Sequence, residues 1–376
     1  MRYLIALSLC LLGSACTTLV DKPNPALISE ILNQDSIKNS QGQLETVNIL
    51  ALSDDLRAFV NQHVDQKAPT SKRLRALRDI LFSEEHFDIQ YESGTTKTAI
   101  ETYQTRSGNC LSMTNLYIAM ARYSGLDANY HVVDAVPQWD HSGDTLILTR
   151  HINSTGKLRN GDNYVLDFLP NLRTNRDTAE SVSDEYALAI YYNNLGAEAI
   201  IAKDNDLATQ YLITALKIEP NMADTWNNMG IVQSRLSRPD LSEASFKQAI
   251  NIDNFSNPAI SNLSHLFYNN GQQSKAEALK RRVAGYRKRN PYYRYANAKV
   301  AFQKEEYQSA RSELEEAIRL KDDEVTFFEL LSKVHQVLGN TRQMSDSLTI
   351  ANYLKSKKNR VRSSLEIRHS GNAIIK

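Results

Sequence analysis

Cys110 is the one cysteine beyond the first sixteen residues, and it stands in RSGNCLSMTNLYIAMARYSG. A thiol is a good nucleophile only as the thiolate, and a helix N-terminus favours that form through its free N–H groups and dipole. Ser107-Gly108-Asn109 reads as a turn that leads the chain into a helix at Cys110. The same N–H groups could hold the oxyanion of a tetrahedral intermediate. Such a thiol also needs a base, usually histidine, and a group that orients the base. Of the eight histidines, His265 and His335 fall in the repeated half of the chain and His369 in its tail. His63 lies on an amphipathic pattern and His86 beside acids, which leaves His131, His141 and His151. His151 follows the apolar run LILT at a strand end. Asp167 stands mid-strand in NYVLDFL, where an acid is costly without a partner. If these strands are antiparallel neighbours, Asp167 could orient the His151 ring. Plainer readings stand beside this one. A free cysteine is often a buried small hydrophobe, a strand histidine is often structural, and Asp167 could be a buried cap. The ordered set of cysteine, histidine and aspartate on successive elements is the stronger signal.

The N-terminus explains why this thiol is alone. MRYLIALSLCLLGSAC has one arginine, a short apolar run, and small residues ahead of Cys16. The run is too short to span a bilayer and has the layout of a secretory signal. Its end resembles the lipobox of bacterial lipoproteins, in which the cysteine is lipidated and becomes the mature N-terminus. Gly13 departs from the leucine common three places before that cysteine, and cleavage after Ala15 is the alternative. The expectation is an exported protein on the periplasmic side of a bacterial envelope, held to a membrane by a lipid at Cys16. Cys10 then leaves with the signal, so Cys110 has neither a disulfide partner nor a second thiol for a metal. No later segment is apolar for long enough to form a membrane-spanning helix.

The elements that must position these residues follow from periodicity. Residues 17–45 are polar and read as a tether, with a short helix at Ala26–Leu32. Helices are expected from Ser53 (Leu56, Phe59, Val60, Val64) and from Thr70 (Leu74, Leu77, Ile80, Leu81). Leu111 to Tyr123 has neither proline nor glycine and few polar positions, so it reads as a buried helix, with Gly125 at its C-cap. Strands are expected at 128–136, 144–153 and 163–169, separated by turns at Ser142-Gly143 and Asn160-Gly161-Asp162. A buried helix against an antiparallel sheet makes an α+β domain.

With that order of elements, RSGNCLSMTNLYIAMARYSGLDANYHVVDAVPQW, TRHIN and YVLDFLP resemble the bacterial transglutaminase-like superfamily, which shares the papain-like Cys-His-Asp arrangement. The resemblance implies an acyl-transfer site with Cys110 as nucleophile, His151 as general base and acid, and Asp167 as orienter. It offers Gln104, six residues before Cys110, as an oxyanion donor, and Asn109, Trp139 and Asn153 as walls of the site. It implies no cofactor. The expected substrate is a protein or peptide amide, with hydrolysis as the default outcome and amine crosslinking as a variant. No HExxH, EF-hand or P-loop pattern occurs, and His131, Asp134 and His141 make a poor metal set.

The second half repeats. Gly196, Gly230, Ser264, Ala298 and Ser332 recur every 34 residues, as do Ala215, Ala249, Val283, Ala317 and Ala351. Large residues keep the same period at Tyr192, Trp226, Ile260 and Phe328, interrupted by Arg294. Small residues let two helices approach and large ones fill between pairs, and the pattern resembles the tetratricopeptide repeat. About five units are expected over 189–358, the first two matching best, with a protein partner on their concave face. A catalytically silent scaffold built around these repeats is the competing function.

The layout expected is a signal peptide at 1–15, a tether at 16–45, the transglutaminase-like domain at 46–180, the repeats, and a basic tail at 359–376; the stretch Lys355–Lys376 is expected to begin as a capping helix and end without structure. Net charge is +1, yet Lys275–Arg294 holds eight basic residues and one acid, and Lys355–Lys376 seven and one. Such runs usually form solvated faces, and no nucleic-acid partner is expected.

Overall fold

The computed structural model describes residues 20–34, 47–83, 85–142, 145–168, 180–357, 364–368 and 374–375, with the backbone alone described for 133–151 and for the two C-terminal stretches. The signal segment and Cys16 lie outside the described residues. The chain forms an α+β domain followed by an all-α solenoid. In order, the first part contains α1 (Pro25–Leu32), α2 (Asp54–His63), α3 (Thr70–Phe82), β1 (Gln90–Tyr91), α4 (Ala99–Thr105), β2 (Ser107–Gly108), α5 (Cys110–Tyr123), β3 (Asn129–Ser142), β4 (Thr145–Lys157), β5 (Asn163–Asp167) and β6 (Glu180–Val182).

Helix α5 is the centre of this domain. Every residue from Leu111 to Ala121 is buried, and the polar ones, Ser112, Thr114 and Asn115, are each hydrogen-bonded. It stops because Gly125 takes φ +68°, which lets Gly125 N–H donate to Arg122 O at 3.0 Å and Leu126 N–H to Ala121 O at 2.9 Å. Helices α2 and α3 cover it with Leu56, Val60, Leu74, Leu77 and Leu81, each fully buried. The sheet covers the other side with Tyr130, Val132, Ile152, Ser154, Tyr164 and Leu166. Each such aliphatic side chain contributes about 1.5–3 kcal/mol on burial.

The main sheet runs β6-β3-β4-β5-β7-β8, where β7 is Ser364–Arg368 and β8 is Ile374–Ile375, and is antiparallel throughout. Strand β3 is longer than its sequence suggests. It continues past an irregularity between Val133 and Gln138, so Trp139 pairs with Leu148 in the β3–β4 hairpin.

The solenoid is built of antiparallel helix pairs: α6 (Asp184–Ile201) with α7 (Asn205–Ile218), α8 (Ala223–Arg235) with α9 (Pro239–Ile252), and α10 (Asn257–Asn269) with α11 (Gln273–Arg282). A short α12 (Ala284–Lys288) precedes α13 (Pro291–Gln303) with α14 (Tyr307–Leu320), and α15 (Val325–Val337) with α16 (Thr341–Lys357). The small residues explain the pairing: Ala215, Ala249, Val283, Ala317 and Ala351 are all 0% exposed. A Cβ on Gly230 would lie 2.5 Å from the Phe246 ring of the facing helix. Where the small position is serine, its hydroxyl ties the pair together: Ser242 donates to Gly230 O at 2.8 Å, Ser264 to Ala276 O at 2.9 Å and Ser332 to Met344 O at 3.2 Å. Arg294, which interrupts the large positions, is half-buried because Glu313 pairs with it at 3.0 Å. The core divides there, Val283 closing one buried cluster and Tyr292 opening the next. Around that break Lys275, Lys280, Arg281, Lys288 and Arg289 are exposed. Among the described residues no helix is long and apolar enough to cross a membrane.

Two expectations about the chain ends are corrected. The segment read as a tether is not free over 20–34: α1 packs on α7 and α9, and Ile31 is fully buried in the array's core. The tail read as ending without structure forms β7 (Ser364–Arg368), which pairs with β5, and β8 (Ile374–Ile375). Its apolar residues Leu365 and Ile367 alternate with polar neighbours, which is the strand period. The units also share a core. Ala187, Ala189, Ile190, Tyr191 and Tyr192 of α6 lie in the same buried cluster as α5.

Candidate active site

The turn into α5 is fixed from below. Helix α4 begins with a capping box, Thr98 and Glu101 exchanging bonds, and ends at Arg106 with φ 54°. The Arg106 guanidinium rests on the rings of Phe87 and Tyr103, 3.6 and 4.3 Å from their centroids. Strand β2 then pairs in parallel with β1, setting Tyr91 beside Gly108. Gly108 is needed for packing, since a Cβ there would lie 2.5 Å from Ser112 Cβ.

Asn109 caps α5. Its Oδ1 accepts from Ser112 N–H at 3.0 Å and Ser112 Oγ at 2.9 Å, and its Nδ2 donates to Thr96 Oγ1 at 2.7 Å. Asn109 is only 8% exposed, and its side chain is taken up by this cap. The loop 92–98 locks around this cap. Thr95 O accepts from Asn109 N–H at 3.3 Å, Lys97 N–H donates to Ser112 Oγ at 2.8 Å, and Asn115 Nδ2 donates to Lys97 O at 3.1 Å. The Lys97 ammonium donates to Ser107 Oγ at 2.8 Å, Thr105 Oγ1 at 3.0 Å and Glu92 at 3.2 Å. The Thr95 hydroxyl, then Lys97, hold the Glu92 carboxyl below its usual range.

Cys110 is therefore the first residue of α5, half-buried and with a free thiol. Its Sγ lies 3.9 Å from the Tyr91 hydroxyl. The Cys110 and Leu111 amides precede the first intrahelical bond, as at any helix start. Behind the thiol, Thr114 Oγ1 reaches Ile152 O at 3.5 Å, which sets α5 on β4.

On the sheet, Ser154 pairs with Leu166, which makes Asn153 and Asp167 cross-strand neighbours. Asn153, 3% exposed, donates through Nδ2 to Asp167 Oδ2 at 3.4 Å, and its Oδ1 lies 2.9 Å from His131 Nδ1. Asn153 is thus a bridge between an acid and a histidine. Position 151 pairs with Val133 and, two residues from Asn153, shares its face of β4, the face opposite to Ile152 and Ser154, which cover α5. The side chains of His151 and Trp139 lie outside the described residues. Gln104 is exposed on α4. Among the described residues no three His, Cys, Asp or Glu side chains gather in a way that could hold a metal ion.

Tyr91 and Thr96 were not picked out by the sequence, and His131 stood there only as a remaining histidine and as part of a poor metal set. Tyr91 and Thr96 carry no local signal, because they meet the turn only through the fold. The pairing of His131 with Asn153 becomes legible once the β3–β4 register is known.

The architecture and this turn define an α+β domain with a free thiol opening its buried helix, joined to a helical repeat array. Comparison with known proteins gives the class. Residues 57–165 match the Transglutaminase-like superfamily, and residues 223–255 match the tetratricopeptide repeat. The chain thus carries a transglutaminase-like domain followed by tetratricopeptide repeats. The first match ends just before Asp167. No curated protein sequence matches the chain. Solved structures with similarity to it include PilF of Pseudomonas aeruginosa (16% identity over 46% of this chain and 78% of that one, TM-score 0.33). MamA of Desulfovibrio magneticus RS-1 (15%, 47% and 98%, 0.29) is another. A third is YrrB, a TPR protein with an unusual peptide-binding site (14%, 45% and 87%, 0.26). None of these likenesses bears on what this chain does.

Proposed function

We propose that the protein is an exported, lipid-anchored cysteine amidase or peptidase of the transglutaminase-like type, whose repeats recruit the substrate or a partner protein. The observation that carries this reading is the half-buried free thiol of Cys110 at the first position of α5, with the helix-start amides and the Tyr91 hydroxyl beside it. In this reading His151 takes the thiol proton and the thiolate adds to an amide carbonyl. The amides of the α5 N-terminus and Tyr91 O–H stabilise the oxyanion, with Gln104 as a further donor. The C–N bond breaks as His151 returns the proton to the leaving amine, leaving a thioester. Water, deprotonated by His151, then releases the acid and restores the thiol. Asp167, held on one oxygen by Asn153, orients the base. Cys16 carries the lipid and the chain works on the periplasmic side of the envelope.

A thiol-directed activity probe tests the reading. Cys110 labels at neutral pH, and labelling falls in His151→Ala and Asp167→Asn. Labelling that ignores both substitutions would remove the triad. Release of ammonia or amine without incorporation of an added amine separates hydrolysis from crosslinking. Full complementation of a deletion by Cys110→Ala would favour the scaffold reading instead.

A further inference from the structure

We propose that Glu198, on the first helix of the repeat array, is a positioning residue that holds the Cys110 turn in place. The inference rests on reading Cys110 as the nucleophile. Three contacts lead from the array to the residue before the thiol. Glu198 Oε1 accepts from Thr96 N–H at 2.7 Å, Thr96 Oγ1 accepts from Asn109 Nδ2 at 2.7 Å, and Asn109 Oδ1 caps α5 through Ser112 N–H at 3.0 Å. Thr96 is 6% exposed, so these bonds are shielded from competing water. The far end of α5 is tied to the same helix: Arg122 donates to both carboxylate oxygens of Asp184, at 2.6 and 2.9 Å, and to Ala128 O at 2.8 Å. Helix α6 therefore grips both ends of α5 and shares its core between them. These contacts form a contiguous path from α6 to the turn that carries the thiol.

The charge at this joint is sensitive to neutral pH. Burial pushes the Glu198 carboxyl up to about 7, against the opposing pull of its Thr96 hydrogen bonds and of Lys97. Besides Lys97 on the loop, Glu101 of α4, Tyr191 of α6 and Tyr211 of α7 face the same volume. Because the packed joint favours the protonated carboxyl, ionisation above about 7 loosens the hold on Thr96.

The test uses the full chain with Cys10→Ser and Cys16→Ser, so that Cys110 is the sole thiol, iodoacetamide as the probe, and hydrogen exchange as a second measurement. In the parent chain the pH profile of alkylation has two steps, one of them a fall near about 7 as Glu198 ionises and the turn loosens. Glu198→Gln keeps the acceptor and removes that step. Glu198→Ala slows alkylation at neutral pH about tenfold, the size of one lost charge-assisted bond, and speeds amide exchange over 92–110. Unchanged alkylation and exchange in Glu198→Ala would overturn the proposal, as would a two-step profile retained in Glu198→Gln. If the parent thiol proves inert, the nucleophile reading fails. The exchange measurement then still supports the clamp when faster and overturns it when unchanged.

Discussion

Replacing Asn109 by alanine tests whether the α5 cap is built as the structure shows. The side chain makes two accepted bonds, from Ser112 N–H and Ser112 Oγ, and one donated bond, to Thr96 Oγ1. Loss of an N-cap costs about 1 kcal/mol. Loss of the Thr96 bond costs about 1 kcal/mol more, because neither group is open to water. Ser112 Oγ–H can still donate to Thr95 O at 3.4 Å, so its own loss is partly covered. Asn109→Ala should therefore lose about 2 kcal/mol, a large share of a typical stability of about 5–15 kcal/mol. Asn109→Asp keeps both accepted bonds. It loses the donated bond but gains about 0.3–1 kcal/mol from a negative charge at a helix N-terminus, so it should stay within about 1 kcal/mol of the parent. Urea unfolding midpoints at constant slope read both values. The reasoning is refuted if alanine costs less than about 0.5 kcal/mol, or if aspartate is as damaging as alanine.

Three other outcomes are expected. Gly230→Ala pushes a methyl into the Phe246 ring, whose nearest atom would be 2.5 Å away, and should cost about 1–3 kcal/mol, visible as a lower Tm. Ile31→Asp places a charge where the side chain is 0% exposed; α1 should leave the array and become a protease-sensitive segment, while Cys110 alkylation stays unchanged. Glu198 sits at about 7 when folded against its usual 4.5, so the folded chain keeps a proton that the unfolded chain releases. The contribution is fully present below about pH 4.5 and lost as pH rises through about 7. Glu198→Gln should accordingly match the parent in acid and exceed it in stability at mildly alkaline pH, as read from paired urea midpoints.

What the sequence revealed was local or periodic. Gly125 announced the end of α5 because only a left-handed residue closes that cap. The 34-residue ruler announced the helix pairs because each pair repeats the same close approach at a small residue. What it concealed was contact between distant segments. Ile31 looks like part of a polar linker and is buried only because α7 and α9 offer it a slot. Thr96 and Glu198 are ordinary polar residues until α6 packs beside the 92–98 loop. Tyr91 comes within reach of Cys110 because β1 pairs with β2. The strand in the tail was legible in its alternation, but the basic residues around it drew the reading toward solvent.

Strand β7 has a consequence for how the chain comes into being. It flanks β5 at Asp167, where Ser364 is the partner, yet the whole repeat array lies between them in the chain. At about 5–20 residues per second, roughly two hundred residues separate their synthesis by on the order of ten to forty seconds. Until then β5 is an open edge, able to pair with any passing strand. A nascent chain thus carries its thiol early and completes the sheet around the acid late, after the repeats have been made.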